Sequence, residues 1–210
     1  MIKVLVADDH SVVRRGLQQI LTDEPDMVVA AEAVNAAEAL EHTRDADLDV
    51  VVLDISMPDR SGLEVLQEIR KECPGLPVLI LSMYPEEQFA VRVMKAGAAG
   101  YLTKDAAPEE LVGAIRKVVG GGKYVGQSLA ERLALEVEEM HVQEPHEKLS
   151  HREFETMLMI ASGKTPKEIA AEMSLSEKTV STYRARLLDK MGMHNNAEIM
   201  RYAFEKHLVE

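Results

Sequence analysis

The segment Asp49–Pro58, DVVVLDISMP, decides the fold of the first half of the chain. Four consecutive apolar residues, Val50 to Leu53, are typical of a strand that is buried on both faces in the middle of a parallel sheet. Asp54 ends this strand. Ligands of open parallel α/β sheets bind outside the carboxyl ends of the strands, so a carboxylate here is placed for chemistry. On this segment alone, an Asp that caps a loop is an equally good interpretation.

Apolar, β-branched segments recur along the first half, and the residues between them have helical periodicity. The predicted strands are Lys3–Ala7, Met27–Ala31, Asp49–Leu53, Pro77–Leu81 and Ala98–Leu102. Because strands alternate with helices and such crossovers are right-handed, we predict an α/β doubly wound domain of the flavodoxin-like kind. Its five parallel strands have the order 2-1-3-4-5, which places the ligand cleft between the first and third strands.

This topology brings Asp8 and Asp9, at the end of the first strand, close to Asp54. Three carboxylates in one cleft repel one another, and a hard divalent cation would neutralise them. Mg²⁺ fits best, because it prefers oxygen ligands and is usually shared with a phosphoryl group. An aspartate can itself be the nucleophile and form an acyl phosphate. The cluster therefore indicates phosphoryl chemistry.

Two further polar residues end neighbouring strands. Ser82 ends the fourth strand and Lys104 follows the fifth, so a hydroxyl and an ammonium face the same cleft and can meet phosphate oxygens. Ser82, Lys104 and the nearby strand residue Tyr101 each have a purely structural interpretation when they are considered singly. Ser82 would be a turn residue, Lys104 a solvated charge and Tyr101 a half-buried strand residue. Taken together in chain order, these residues favour the functional interpretation.

In this order, Asp8-Asp9, Asp54 with Met57-Pro58, Ser82, Tyr101 and Lys104-Asp105 resemble the receiver domain of a two-component response regulator. The resemblance covers residues 1–122. It implies that a sensor histidine kinase phosphorylates Asp54. It also implies that Ser82 and Lys104 hold the phosphoryl group, and that Tyr101 is a switch residue that turns inward when Ser82 moves. The Mg²⁺ ligands that it implies are Asp9, Asp54 and the Ser56 carbonyl directly, and Asp8 through water.

Charge is unevenly distributed along the chain. The net charge is −12, yet residues 147–210 hold ten Lys/Arg and ten Asp/Glu, so residues 1–146 carry the whole excess. The two parts of the chain therefore face different partners. No apolar run approaches the roughly 18 residues of a membrane helix, and we expect a cytoplasmic protein without a membrane partner. Cys73 is the only cysteine, which excludes an internal disulfide.

Residues 123–146 are predicted to be a linker. Gly120-Gly121-Gly122 ends the preceding helix, and a helix with one apolar stripe is expected from about Ser128 to Met140. This stripe can pack on either domain or on a second chain, and the sequence does not choose among them. Gln143–His146 has the composition of a polar hinge.

Helix start signals are dense from Leu149 onward. Ser150–Glu153 and Thr165–Glu168 are capping boxes, and Asn195–Glu198 has the pattern of a further cap. Ser174–Ser176 reads as the tight turn between the second and third helices. We therefore predict an all-α helix-turn-helix domain at 147–210.

The third helix of this domain has a small, polar outer face. With Val180 at the centre of the core side, this face suits close entry into the major groove, where Ser and Thr bond base edges and basic side chains reach phosphates. The alternative is a charged helix face that is only solvated. The predicted DNA contacts are Lys178, Thr179, Ser181, Thr182, Arg184, Ala185, Arg186 and Lys190.

Residues 149–209 resemble the LuxR-type helix-turn-helix, most clearly in Leu149–Glu153, Lys167–Ala170 and Glu177–Tyr183. A receiver joined to this module defines the NarL/FixJ class of response regulators. The resemblance implies transcription control through double-stranded DNA, a homodimer promoted by phosphorylation, and RNA polymerase as a further candidate partner. It implies no enzymatic activity beyond slow autodephosphorylation.

Two other functions are compatible with parts of the pattern. An aspartyl-phosphate phosphatase would also use Asp54, Mg²⁺ and a lysine, and it would turn over phosphate esters continuously. A phosphorylation switch that binds a protein or RNA would share the receiver, and it would fail to bind duplex DNA.

Overall fold

The computed structural model describes residues 1–45, 47–57, 60–106, 108–126 and 144–209. The chain divides into two compact units, whose described parts are residues 1–126 and 144–209. Each unit is described by itself.

The first unit is a five-stranded parallel sheet with the order β2-β1-β3-β4-β5, which confirms the predicted topology. Strands and helices alternate along the chain, with each strand within a few residues of its predicted position. The elements are β1 (Ile2–Ala7), α1 (Ser11–Thr22), β2 (Met27–Ala33), α2 (Ala36–Asp45), β3 (Val50–Asp54), α3 (Gly62–Glu72), β4 (Val78–Ser82), α4 (Glu86–Lys95), β5 (Gly100–Thr103) and α5 (Pro108–Val119).

The register of this sheet aligns the ends of its strands. Every residue of β3 and β4 is buried, as expected for strands that are covered by helices on both faces. Asp54 pairs with Leu81, and Ser82 pairs with Thr103. The polar residues that end β3 and β4 therefore lie at the same edge of the sheet.

The first unit continues past the predicted boundary at residue 122. The Tyr124 N–H donates to the Ala99 carbonyl at 2.9 Å, and the Gly126 N–H donates to the Glu86 carboxylate at 2.9 Å. A Cβ at Gly100 would lie 2.8 Å from the Tyr124 Cβ, so only glycine allows this close approach. The first residues of the predicted linker thus pack on the edge of β5, while the predicted helix Ser128–Met140 falls outside the described residues.

The second unit is helical. A short 3₁₀ turn (Pro145–Lys148) precedes α6 (His151–Ala161), α7 (Pro166–Glu172), α8 (Glu177–Met191) and α9 (Asn196–Glu205). Both predicted capping boxes are confirmed, at Ser150 and at Thr165. Ser176 and Asn195 cap the two later helices. None of the described helices is long and apolar enough to cross a membrane.

The polar hinge predicted at Gln143–His146 is wrong for its described part. Glu144 forms an ion pair with Lys206 at 2.6 Å, and the Tyr202 hydroxyl is 2.8 Å from His146 Nδ1. The His146 ring also stacks on Phe154. These polar side chains are satisfied by partners in α9 and just after it, more than fifty residues away, which the local composition does not reveal.

Candidate functional site

Four polar side chains converge at one edge of the sheet in the first unit. Asp54 and Ser82 are the last residues of β3 and β4, Asp8 follows β1, and Lys104 follows β5. The Lys104 N–H donates to the Ser82 carbonyl at 2.7 Å, which fixes the start of the loop after β5. The structure therefore brings together the polar residues that were predicted to meet because each lies at the end of a strand.

Lys104 bridges the two buried carboxylates. Its Nζ lies 2.8 Å from Asp54 Oδ2 and 2.7 Å from Asp8 Oδ2, and both carboxylates are about 1% exposed. Burial acts to lower the pKa of Lys104, but Asp54 and Asp8 outweigh it and raise that pKa above its usual value. The side chain is therefore held as an ammonium at the carboxylate oxygens, where it can pair with an added oxyanion.

Asp54 is a buried carboxylate with a raised pKa. Burial raises its pKa, and the nearby Asp8 adds to this, while Lys104 and the Ser56 N–H act in the opposite direction. That N–H donates to Asp54 Oδ1 at 3.0 Å. A divalent cation at these oxygens would favour the ionised, nucleophilic form of Asp54.

The same edge holds a set of metal-ligating groups. Asp8, Asp9, His10 and Asp54 each offer one ligand atom, and these atoms lie within 4.8 Å of one another. Three carboxylates fit a hard divalent cation such as Mg²⁺. His10, whose Nδ1 is 2.8 Å from Asp9 Oδ1, was missed by the sequence reasoning, although it directly follows the acidic pair. The Ser56 carbonyl stays a predicted ligand.

Ser82 and Tyr101 are linked through Tyr84. The Ser82 hydroxyl accepts the Tyr84 N–H at 3.0 Å, and the Tyr101 hydroxyl donates to the Tyr84 carbonyl at 2.7 Å. Tyr101 is 2% exposed, so its ring occupies an inward position. The ring of Tyr84 packs on Phe89 in α4. A displacement of the Ser82 hydroxyl would thus act on the residue that holds Tyr101 and contacts α4.

The second unit presents a polar face on α8. Val180 and Leu187 bury the opposite side of this helix. Met173 and Leu175 lead from α7 into α8, and Ser174 has a φ of 54° that closes the turn. The predicted contact residues that the structure leaves exposed on α8 are Lys178, Ser181, Thr182, Ala185, Arg186 and Lys190.

Three of the eight predicted DNA contacts bind other side chains of their own unit, and a fourth, Thr182, donates its hydroxyl to the Lys178 carbonyl at 3.0 Å. The Thr179 hydroxyl is 2.9 Å from the Ser176 hydroxyl at the helix cap, and Arg184 Nε donates to Asn196 Oδ1 at 2.7 Å. Lys190 Nζ lies 2.6 Å from Glu153 Oε2 in the capping box of α6. Helical periodicity alone could not reveal these partners, since Asn196 and Glu153 belong to other helices. The assignment of all eight residues as DNA contacts stays a prediction.

Known families match both units of the chain. The family described as "Response regulator receiver domain" matches residues 4–116, and "Bacterial regulatory proteins, luxR family" matches residues 147–203. The chain therefore belongs to the two-component response regulators that combine a receiver with a LuxR-type DNA-binding domain, the NarL/FixJ type.

Several relatives match along nearly the whole chain. The response regulator UvrY of Escherichia coli K12 is 39% identical over 99% of this chain and 96% of its own length. The response regulator GacA of Pseudomonas aeruginosa is 37% identical over 100% of this chain and 99% of its own length. A structure of two RcsB dimers bound to two parallel DNAs aligns with 25% identity and a TM-score of 0.59, covering 96% of each chain.

Proposed function

We propose that this protein is a cytoplasmic transcription regulator controlled by phosphorylation of Asp54. A sensor histidine kinase donates the phosphoryl group, and the modified protein binds double-stranded DNA as a homodimer. The observation that carries the proposal is the Lys104 ammonium within 2.8 Å of both Asp54 and Asp8 in a unit joined to a helix-turn-helix. RNA polymerase is the partner through which such a regulator would act on transcription.

In the phosphorylation step, an Asp54 carboxylate oxygen forms a bond to phosphorus as the bond from phosphorus to the kinase histidine nitrogen breaks. Asp9, Asp54 and the Ser56 carbonyl would hold Mg²⁺, with Asp8 bound through water, and the ion would neutralise charge on the transferring group. Lys104 and the Ser82 hydroxyl would pair with the phosphoryl oxygens. No activity on other phosphate esters is assigned.

The switch step begins at Ser82. If its hydroxyl turns to a phosphoryl oxygen, the hydrogen bond from the Tyr84 N–H to Ser82 is broken, which would favour a rearrangement of the loop that carries the Tyr84 carbonyl. That carbonyl holds the Tyr101 hydroxyl. Phosphorylation would thereby bias the β4–α4 segment between two arrangements.

The DNA step uses the exposed face of α8. Lys178, Ser181 and Thr182 would read base edges, Ala185 would allow close approach, and Arg186 would neutralise phosphate. Thr179, Arg184 and Lys190 are left out of this contact set, because they bind the side chains of Ser176, Asn196 and Glu153. The Thr182 hydroxyl donates to a backbone carbonyl of its own helix, and its oxygen can still accept a hydrogen bond from a base.

The dimer would use the outer face of α9. Met200 and Phe204 lie one turn apart on this helix, and the Phe204 side chain is 68% exposed. Two such faces could cover one another in a two-fold contact. The dimers of RcsB on DNA support a dimeric DNA complex for a related chain.

Mass spectrometry tests the phosphorylation step. Protein treated with acetyl phosphate and Mg²⁺ should gain a single phosphoryl group, and the same treatment in EDTA should give none. Asp54→Asn protein should also remain unmodified. A phosphoryl adduct of undiminished yield on the Asp54→Asn protein would overturn the assignment.

A further inference from the structure

A cavity of about 450 Å³ lies at the opposite edge of the sheet from Asp54. It opens at the amino-terminal ends of β3, β4 and β5, so it is separate from the phosphorylation site. Its apolar lining includes Leu48, Leu76 and Val118, and its polar lining includes the side chains of Arg70 and Lys123. The volume is in the range of sites for small molecules.

The two cations of this cavity, Arg70 and Lys123, have backbone carbonyl partners, whereas several arginines of the same unit pair with carboxylates. Arg44, Arg60 and Arg116 each form ion pairs with glutamate or aspartate. Arg70 donates instead to the Pro74 carbonyl, and Lys123 donates to the Ala98 carbonyl. Among the described residues, neither Arg70 nor Lys123 has an ion pair with a carboxylate, in a chain that carries 36 acidic residues.

The electrostatics of the cavity favour an anion. Burial lowers the pKa of Lys123, and the nearby Arg70 lowers it further, so the two positive charges are close enough to repel. Asp49 also lines the cavity, and its Oδ2 accepts the backbone N–H of Lys3 at 2.8 Å. With Arg70 and Lys123 positive and Asp49 negative, these three groups carry a net charge of +1. An oxyanion between the two cations would remove their repulsion and accept charge-assisted hydrogen bonds from both.

We propose that this cavity is a binding site for a small organic oxyanion, with its carboxylate or phosphate between Arg70 and Lys123 and its apolar part against Leu76 and Val118. An arginine fork suits either head group. Because Gly121, Gly122 and Lys123 form part of the rim, a bound anion would also tie α3 to the first residues of the segment that leaves the receiver.

Amide NMR spectra of the full chain, recorded in EDTA, test this site with defined probes. Phenyl phosphate and benzoate carry both an anion and an apolar ring, inorganic phosphate carries only the anion, and phenol carries only the ring. We expect phenyl phosphate, benzoate or both to shift the rim glycines Gly75, Gly97, Gly121 and Gly122, and the stronger of the two identifies the preferred head group. Gly16 and Gly113, which have open surroundings elsewhere, should not move.

Variants separate specific binding from general charge effects. Arg70→Gln and Lys123→Gln should each weaken binding of the better probe about tenfold, the worth of one charge-assisted hydrogen bond. Lys71→Gln removes the same charge from the residue next to Arg70 that does not line the cavity, and it should leave the affinity within about a factor of two. Unchanged Gly16 and Gly113 resonances in each variant would show that the fold is intact.

Several outcomes would overturn the proposal. The first is that neither phenyl phosphate nor benzoate shifts the rim glycines. The second is that phenol binds as tightly as these anions. The third is that Lys71→Gln weakens binding as much as Arg70→Gln does. A shift confined to Gly62, whose N–H bonds the Ile55 carbonyl beside Asp54, would place the probe at the phosphorylation site and contradict the proposal equally.

Discussion

At the scale of single residues, Lys104 decides how the acidic cleft is stabilised. Asp8 and Asp54 are each about 1% exposed, and the Lys104 ammonium is the cation that the described structure places between them. Removal of one partner from a buried ionic cluster leaves uncompensated charge, which costs more than the pair itself contributes. The same ammonium competes with any divalent cation for these oxygens.

We therefore expect Lys104→Met to destabilise the receiver in EDTA by about 3 kcal/mol. Added Mg²⁺ should stabilise the variant more than it stabilises the parent protein, because in the variant Mg²⁺ does not compete with the Lys104 ammonium for the carboxylate oxygens. Hydrogen exchange of peptides from β1 and β3, with and without Mg²⁺, measures both effects. Lys71→Met, on the exposed surface of α3, is the matched control. Equal exchange of the Lys104→Met and Lys71→Met proteins in EDTA would contradict this role.

The cleft contains some residues that could be predicted from the sequence and others that could not. Asp54, Ser82 and Lys104 were found because the ends of parallel strands meet at one edge, which the pattern of apolar segments already implies. Tyr84 was missed, since its contribution is a backbone carbonyl and N–H in a loop, and backbone groups carry no sequence signal. His10 was missed because Mg²⁺ prefers oxygen ligands, so only the carboxylates were considered.

At the scale of elements, two arginines of α8 that were both predicted to contact DNA have different surroundings. Arg184 is bound to Asn196 at the start of α9, whereas Arg186 is exposed. Periodicity assigns a helix face only within one element. Contacts to another helix depend on packing, so the sequence could not show that Arg184 and Lys190 have partners in other helices.

Arg186→Ala should weaken binding to all DNA sequences and lower the magnitude of the salt slope by about one, because one phosphate contact is lost. Arg184→Ala is the matched control and should leave that slope unchanged. Thr182→Ala should instead alter the preference among sites. Binding isotherms on two duplexes over a range of salt separate these effects, and a reversal of the two arginine results would refute the assignment.

Helix α6 carries a buried ionic cluster that the sequence did not reveal. Glu155 is 1% exposed, with Arg152 Nη1 at 2.9 Å and His151 Nε2 at 3.6 Å. Burial acts to raise the pKa of Glu155, but His151 and Arg152 outweigh it and lower that pKa to about 2. A lowered pKa in the folded state stabilises the fold above the ordinary glutamate pKa.

This contribution has a defined pH window. It should be complete above about pH 4.5 and disappear as the pH falls towards 2. Glu155→Gln should therefore lower the free energy of unfolding of the second unit by about 3 kcal/mol near neutral pH, and by progressively less at lower pH. Urea unfolding of the full chain, followed by the amide resonances of α6, measures this difference. A difference that stays constant across the window would contradict the ionic role of Glu155.

At the scale of the whole molecule, the uneven distribution of charge along the chain bears directly on DNA binding. Residues 147–210 are neutral overall, and the rest of the chain carries the net −12. The receiver and linker therefore repel a polyanion, while the reading helix has only a small basic excess. Two DNA-binding domains on adjacent half-sites would gain affinity through effective concentration without any new base contact.

The limits of the domains depend on long-range contacts. Residues 123–126 bind Ala98 and Ala99 just before β5 and Glu86 at the start of α4, and Glu144 and His146 bind Tyr202. Both ends of the predicted linker therefore belong to folded units. The sequence predicted a linker here because Gly120–Gly122 ends the preceding helix and Gln143–His146 is polar. A fragment of the DNA-binding domain should accordingly begin at or before Glu144.

The central claim is that phosphorylation at Asp54 controls DNA binding by the full chain. To shift the binding-competent form from about 1% to about 99% takes a bias of roughly 5.5 kcal/mol, and a smaller bias gives a graded response. The most direct measurement is the affinity of the full chain for a cognate duplex with and without beryllofluoride and Mg²⁺, at one fixed salt concentration. We predict tighter binding with beryllofluoride, two protein copies per site, and no such gain for Asp54→Asn. If the full chain without substitutions bound the duplex equally tightly with and without beryllofluoride, the claim would be contradicted.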